Sequence, residues 1–171
     1  MSPSPFIVEW SARIAGERSG RPRALDVAMG RGRHAVTLAR AGFTTFGVDV
    51  KLEAVEEAMA AAATHGMRVA GWCADLTQQP LPRGRFDLVV VCRYLQRDLF
   101  PSLRAALAPG GVVLYETFTV AQRELGRPPT SADHLLEPGE LRRHFAGFDL
   151  LFYEEVREPD AVARLVARSR S

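Results

Sequence analysis

The stretch DVAMGRGRHAV occupies residues 26–36. Its glycines, Gly30 and Gly32, offer backbone that a ligand can approach without meeting a Cβ. A helix starting just after them would present free N–H groups to an anionic group. Gly30, Gly32 and Ala35 also match the spacing of a turn that binds a dinucleotide pyrophosphate, a pattern with many false matches. Asp26 points the other way. A carboxylate in the strand before the loop repels a pyrophosphate and attracts an ammonium. An aspartate that only caps the turn would explain the same residue.

Two more carboxylates end apolar runs further along. Asp49 closes FGVDV, about 20 residues past the loop, where an acidic side chain accepts both hydroxyls of a ribose. It also stands where it could cap the helix starting KLEAVEE. Asp75, followed by Leu76, ends the next run and could accept from an adenine amino group or simply cap a turn. On the opposite side of such a cleft, Arg93, Tyr94, Gln96 and Arg97 follow a fourth run, and Glu116, Phe118 and Thr119 a fifth. Arg93 and Arg97 suit an anionic second ligand, unless Arg97 pairs with Asp98 or Glu116 and only orders the loop. His34 reads as a residue that packs or hydrogen-bonds near the loop, His134 as a surface histidine, and Cys92 as a small buried hydrophobe. No general base is assigned, and the cysteines, Cys73 and Cys92, are not spaced as a metal or redox pair.

These positions need an open sheet whose strands end on one side. Short apolar runs at 24–29, 44–50, 68–75, 86–92 and 111–118 read as strands, with FDLVVVC at the sheet centre. Helical patterns follow at 34–43, 51–66, 97–111 and 137–147, and QQPLPRGR forms a turn-rich link. Five β-α repeats imply a parallel sheet with helices on both faces. FDLLFYEEV and AVARLVARS are separated only by REPD, too short for a crossover, so they must pair antiparallel. PFIVEWSARIAGE is amphipathic; Phe6 and Trp10 either cover a sheet edge or lid the site. The polar, proline-bearing residues 119–135 are a candidate cover for the second ligand.

LDVAMGRGRHAVTLA, FGVDV, CADL, FDLVVV and LAPGGVVLYETF together resemble the class I S-adenosylmethionine-dependent methyltransferases. The resemblance runs from about Leu25 to the C-terminus, with Met29 standing where that family often has cysteine. It implies a Rossmann-like sandwich with a seven-stranded, mostly parallel sheet and a C-terminal antiparallel hairpin. It further implies S-adenosylmethionine as cofactor and S-adenosylhomocysteine as product. By resemblance, Asp26, Gly30 and Gly32 face the methionyl end, Asp49 the ribose, and Asp75 and Leu76 the adenine. Arg93, Tyr94, Arg97, Glu116 and Phe118 would then face the acceptor. CRYLQRDLFPSLRAALAPGGVVLYETFT and GRPPTSADHLLEPGEL are similar to stretches of small bacterial enzymes grouped with the tellurite-resistance methyltransferases.

The expectation is one methyltransferase domain over 1–171, with 1–23 as a helical cap, acting on a thiol, chalcogen anion or hydroxyl of a small molecule. Three alternatives stay open: an NAD(P)-dependent oxidoreductase, an RNA methyltransferase, and a module that binds S-adenosyl ligands without turnover. The oxidoreductase lacks a Tyr-x-x-x-Lys pair and a substrate domain. The fourth strand lacks the Asn/Asp-Pro-Pro-aromatic ending that holds a flipped base, and no nucleic-acid module accompanies the domain. A net charge of +2 on 171 residues gives no strong field toward nucleic acid or an anionic membrane. No apolar run is long enough to span a bilayer and no secretory signal is visible, so a cytoplasmic protein is expected.

Overall fold

The computed structural model describes residues 1–170. Seven strands form one sheet: β1 (Arg23–Val27), β2 (Thr44–Asp49), β3 (Val69–Cys73), β4 (Phe86–Cys92), β5 (Leu107–Phe118), β6 (Asp149–Val156) and β7 (Val162–Arg168). Their order is β3-β2-β1-β4-β5-β7-β6. The first five are parallel, and β7 runs antiparallel between β5 and β6. FDLVVVC is the central strand, buried on both faces as a continuous apolar run must be. The short link after β6 does force a hairpin. This is the Rossmann-like class I methyltransferase topology expected.

Side chains alternate between the two faces. Leu25, Val27, Val89, Val91, Val113 and Tyr115 join one core, and Ala24, Leu88, Val90, Val112, Leu114 and Val166 the other. Five helices cover the faces: α1 (Pro5–Glu17), α2 (Arg33–Arg40), α3 (Leu52–Thr64), α4 (Phe100–Ala106) and α5 (Glu140–His144). Ile7 and Ile14 from α1 and Leu38 from α2 enter the second core, and each fully buried side chain stabilises by roughly 1.5–3 kcal/mol. Phe100, Leu103 and Leu141 bring α4 and α5 to the first.

Three expectations shift. The turn-rich link QQPLPRGR between β3 and β4 carries no helix, as Pro80, Pro82 and Gly84 dictate, so the β-α repeats number four and not five. The fourth helix ends at Ala106, not at Pro109-Gly110-Gly111. Pro109 disfavours helix at the residue before it, and Leu107 already pairs with Phe86 of β4. The fifth starts at Glu140 instead of 137, because Gly139 sits at φ 71. No described helix is long and apolar enough to cross a membrane.

Candidate functional site

The glycine loop leaves β1 with Ala28 at φ 54 and Gly30 at φ 55 and enters α2 through Gly32 at φ 83. Beneath it opens a cavity of about 440 Å³ lined by Asp26, Met29, Gly30, His34, Cys92 and Arg93 among others. Asp26 is 2% exposed, and its Oδ2 has no hydrogen-bond partner. Burial pushes its carboxyl up to about 7, against the pull of the Ala35 N–H and the Arg33 charge. A buried acceptor left unpaired beside a cavity calls for a donor from a ligand, and a cation best relieves it.

The two glycines divide their work. A Cβ on Gly30 would meet nothing, so that side of the loop is open to a ligand. A Cβ on Gly32 would stand 2.7 Å from the Ala58 Cβ, and Gly32 does not line the cavity. Its bareness serves the close packing of α2 on α3, which corrects the reading of both glycines as open floor. Met29 fits because Gly47 and Gly71 leave it space: a Cβ on Gly47 would sit 2.0 Å from the Met29 Sδ.

At the end of β2, Asp49 Oδ2 accepts from the Gly30 N–H at 2.9 Å and Oδ1 from the Lys51 N–H at 3.0 Å. It therefore ties the glycine loop to the next strand. The cap position of α3 is Lys51, so Asp49 is not that helix's N-cap. At the end of β3, Asp75 is exposed, and its Oδ1 takes both the N–H and the hydroxyl of Thr77, at 2.9 and 2.6 Å. Those bonds hold its carboxyl below the usual range. Gln96 Nε2 donates to the Leu76 carbonyl at 3.0 Å, and the Tyr94 hydroxyl donates to Gln96. Burial and the charges of Asp98, Asp75 and Asp49 raise the Tyr94 phenol. Tyr94 and Gln96 thus wall the side of Asp49 and Asp75.

Past β4 and β5 the acidic and basic side chains form a cross-strand row. Glu116 on β5 stands beside Cys92 of β4 and Arg164 of β7, and Arg164 beside Glu154 of β6. Arg164 donates to both glutamates, and Cys92 Sγ lies 3.6 Å from Glu116 Oε1. Burial raises the Cys92 thiol to about 12, so it is a neutral wall. Arg93 lies at φ 56 with its guanidinium 5.3 Å from the Phe118 ring centre. Arg97 is committed within the protein. It makes two 2.9 Å bonds to Glu140 and donates to the Ala132 and Leu135 carbonyls. Its partner is neither Asp98 nor Glu116; it stitches α5 and the segment before it to the turn between β4 and α4.

His34 Nε2 accepts the Ser4 N–H at 2.9 Å, and burial lowers its imidazole to about 4, so it is a neutral acceptor. Arg33 donates to the Ser2 carbonyl, and Met1 reaches the cavity beneath the glycine loop. Residues 1–4, not Phe6 and Trp10, cover this end. Those aromatics pack on Phe152, with ring centres 6.0 and 5.8 Å away. An N-terminal cap is expected from the sequence, but not that residues 1–4 form this part of it, and the Glu116–Arg164 row becomes visible only with the hairpin register. No cluster of His, Cys, Asp and Glu able to hold a metal occurs among the described residues.

A family model described as a methyltransferase domain matches residues 24–111, just over half the chain. The chain belongs to that methyltransferase family. YqeM of Bacillus subtilis (strain 168), itself named a methyltransferase only provisionally, is 28% identical over 163 residues, covering 88% of this chain. This methyltransferase chain spans 64% of the length of YqeM. Among solved structures, TehB from Haemophilus influenzae aligns at TM-score 0.73 and 16% identity, over 95% of this chain and 61% of that one. Magnesium protoporphyrin IX methyltransferase from Synechocystis PCC 6803, with bound S-adenosylhomocysteine, aligns at 0.70 and 18%, over 95% and 80%. At these identities the structures speak for the fold.

Proposed function

We propose that this chain transfers a methyl group from S-adenosylmethionine to a small-molecule acceptor. S-adenosylmethionine is the cofactor, and it supplies a sulfonium-bound methyl that an acceptor lone pair can displace. The observation that carries this reading is the unpartnered Oδ2 of buried Asp26 beside the open face of Gly30. Asp26 would take the methionyl ammonium, and N–H groups at the start of α2 its carboxylate. Asp49 would hold the ribose with lone pairs its backbone bonds leave free, and Asp75 and Leu76 the adenine. A pyrophosphate beside Asp26 would meet a negative charge, which disfavours the dinucleotide reading.

The protein's own contribution to transfer is positioning and exclusion of water. Arg93, Glu116 and Phe118 would face the acceptor, which could be a thiol, a chalcogen anion or a hydroxyl. Residues 1–23 would act as a cap and 119–135 as a cover on a single domain. The likeness to TehB supports grouping the chain with tellurite-resistance-like enzymes, without fixing the acceptor. Free Cys73 and Cys92 fit a reducing cytoplasm. Calorimetry tests the cofactor: S-adenosylmethionine and S-adenosylhomocysteine should bind and NAD(P)H should not. Binding of NAD(P)H alone would sink the reading. Labelled cofactor incubated with thiols, chalcogen oxyanions and small phenols should then yield methylated product; none would point to a binding module.

A further inference from the structure

Arg93 is the one residue shared by three cavities: the 440 Å³ space under the glycine loop, a 540 Å³ space reaching Glu116 and Asp160, and a 410 Å³ space lined by Leu95, Phe118, Pro128 and Pro129 with Thr117 and His134 as its other polar groups. Its neighbours' charges are already committed. Arg164 lies between Glu116 and Glu154, and Arg97 is held by Glu140. Arg93 has only a 3.5 Å contact to Asp160, whose carboxylate also meets Arg127 at 3.5 Å and Gln122 at 3.2 Å. Its side chain is 41% exposed. A guanidinium in a left-handed backbone conformation, laid over an aromatic ring and under-neutralised, is placed to take an anion at the point where the cavities meet.

Resting on the methyltransferase reading above, we infer that the acceptor is an organic acid with an apolar body, its anionic group on Arg93 and its body in the 410 Å³ cavity. That volume lies in the range of sites for small organic molecules and far exceeds a bare inorganic oxyanion. Leu95, Phe118, Pro128 and Pro129 offer an apolar body surface to cover, and Arg93 supplies the discriminating charge. Arg93 is thus a specificity-determining residue.

The test is calorimetry of benzoate and hexanoate against benzamide, hexanamide and selenite, with and without saturating S-adenosylhomocysteine. Carboxylates should bind roughly tenfold or more tighter than their amides. R93G should abolish that preference without lowering the melting temperature, because φ 56 suits glycine. R93K should retain part of it, and F118A should weaken benzoate and benzamide alike. Equal binding of acid and amide by the wild-type protein, a preference surviving in R93G, or binding of selenite alone would each overturn the proposal. Binding of S-adenosylhomocysteine is scored separately, so a failed cofactor is told apart from a failed acceptor class.

Discussion

Asp26 and Asp75 are the same residue type at the ends of two strands of one sheet, yet they are in opposite physical states. Asp26 is buried, has an oxygen without a partner, and holds its proton up to about pH 7. Asp75 is exposed, and Thr77 satisfies it locally and keeps it ionised. Between them Asp49 is occupied with the backbone of the glycine loop. One end of the cleft is therefore built under electrostatic stress that a cation relieves, while the other is relaxed before any ligand arrives. Binding energy should concentrate at the stressed end.

The largest effect should come from replacing each aspartate in turn. D26N should weaken S-adenosylhomocysteine binding on the order of a hundredfold, as loss of one partner of a buried charge pair does. D75N should change it far less, because Thr77 already satisfies one oxygen of that exposed carboxylate and a solvent-exposed contact to the adenine adds little. Calorimetry on both variants checks the contrast, and equal losses would erase it. D26N should also stabilise the ligand-free protein at pH 8 and leave it unchanged near pH 4. The sign follows from linkage. As pH rises from 3.8 to about 7 the unfolded chain loses the Asp26 proton while the folded chain keeps it, so folded stability falls, by about 4 kcal/mol as a ceiling. His34 acts oppositely: its folded value near 4 against 6.5 unfolded gives stability that is present above 6.5 and lost as pH falls through 4. The two slopes offset each other in the wild type, and D26N should expose the rising His34 slope in melting curves.

Cofactor affinity should itself depend on pH at the stressed end only. A cation requires ionised Asp26, so affinity should fall by roughly tenfold per pH unit below about 7. The dissociation constant of S-adenosylhomocysteine between pH 5 and 8 measures this. A flat profile would mean that Asp26 meets no ammonium. Packing should separate the two ends as well. G47A drives a methyl into Met29 and should cost about 1–3 kcal/mol, with much of it recovered in G47A/M29A. Denaturant unfolding of the single and double variants reads that coupling.

Periodicity and link length made the sheet legible, because local pattern determines them: FDLVVVC had to be buried on both faces and REPD had to be a hairpin. The strand-end carboxylates were legible as positions but not as states. Nothing local distinguishes Asp26 from Asp75, since burial and partners come from β4, α2 and the Thr77 turn. Arg97 shows the same boundary, for its partner Glu140 lies 43 residues away and no spacing rule reaches that far. The split between Gly30 and Gly32 was equally hidden, because only the packed α3 puts Ala58 against one of them.

The smallest expected effect isolates backbone stress from electrostatic stress at the same end of the cleft. Ala28 lies at φ 54, where an L residue costs roughly 1–2 kcal/mol. Glycine removes that strain but loses about 0.5–1 kcal/mol more entropy on folding. A28G should therefore stabilise by about 0.5 kcal/mol, a rise of about 1–2 °C in melting temperature for a domain of this size. Binding of S-adenosylhomocysteine should stay the same, because the loop keeps its shape and Asp26 its burial. A destabilised A28G would mean that the Ala28 methyl packs usefully against the cavity wall. A weakened ligand would mean that the strained backbone, and not only Asp26, holds the loop ready for its cation.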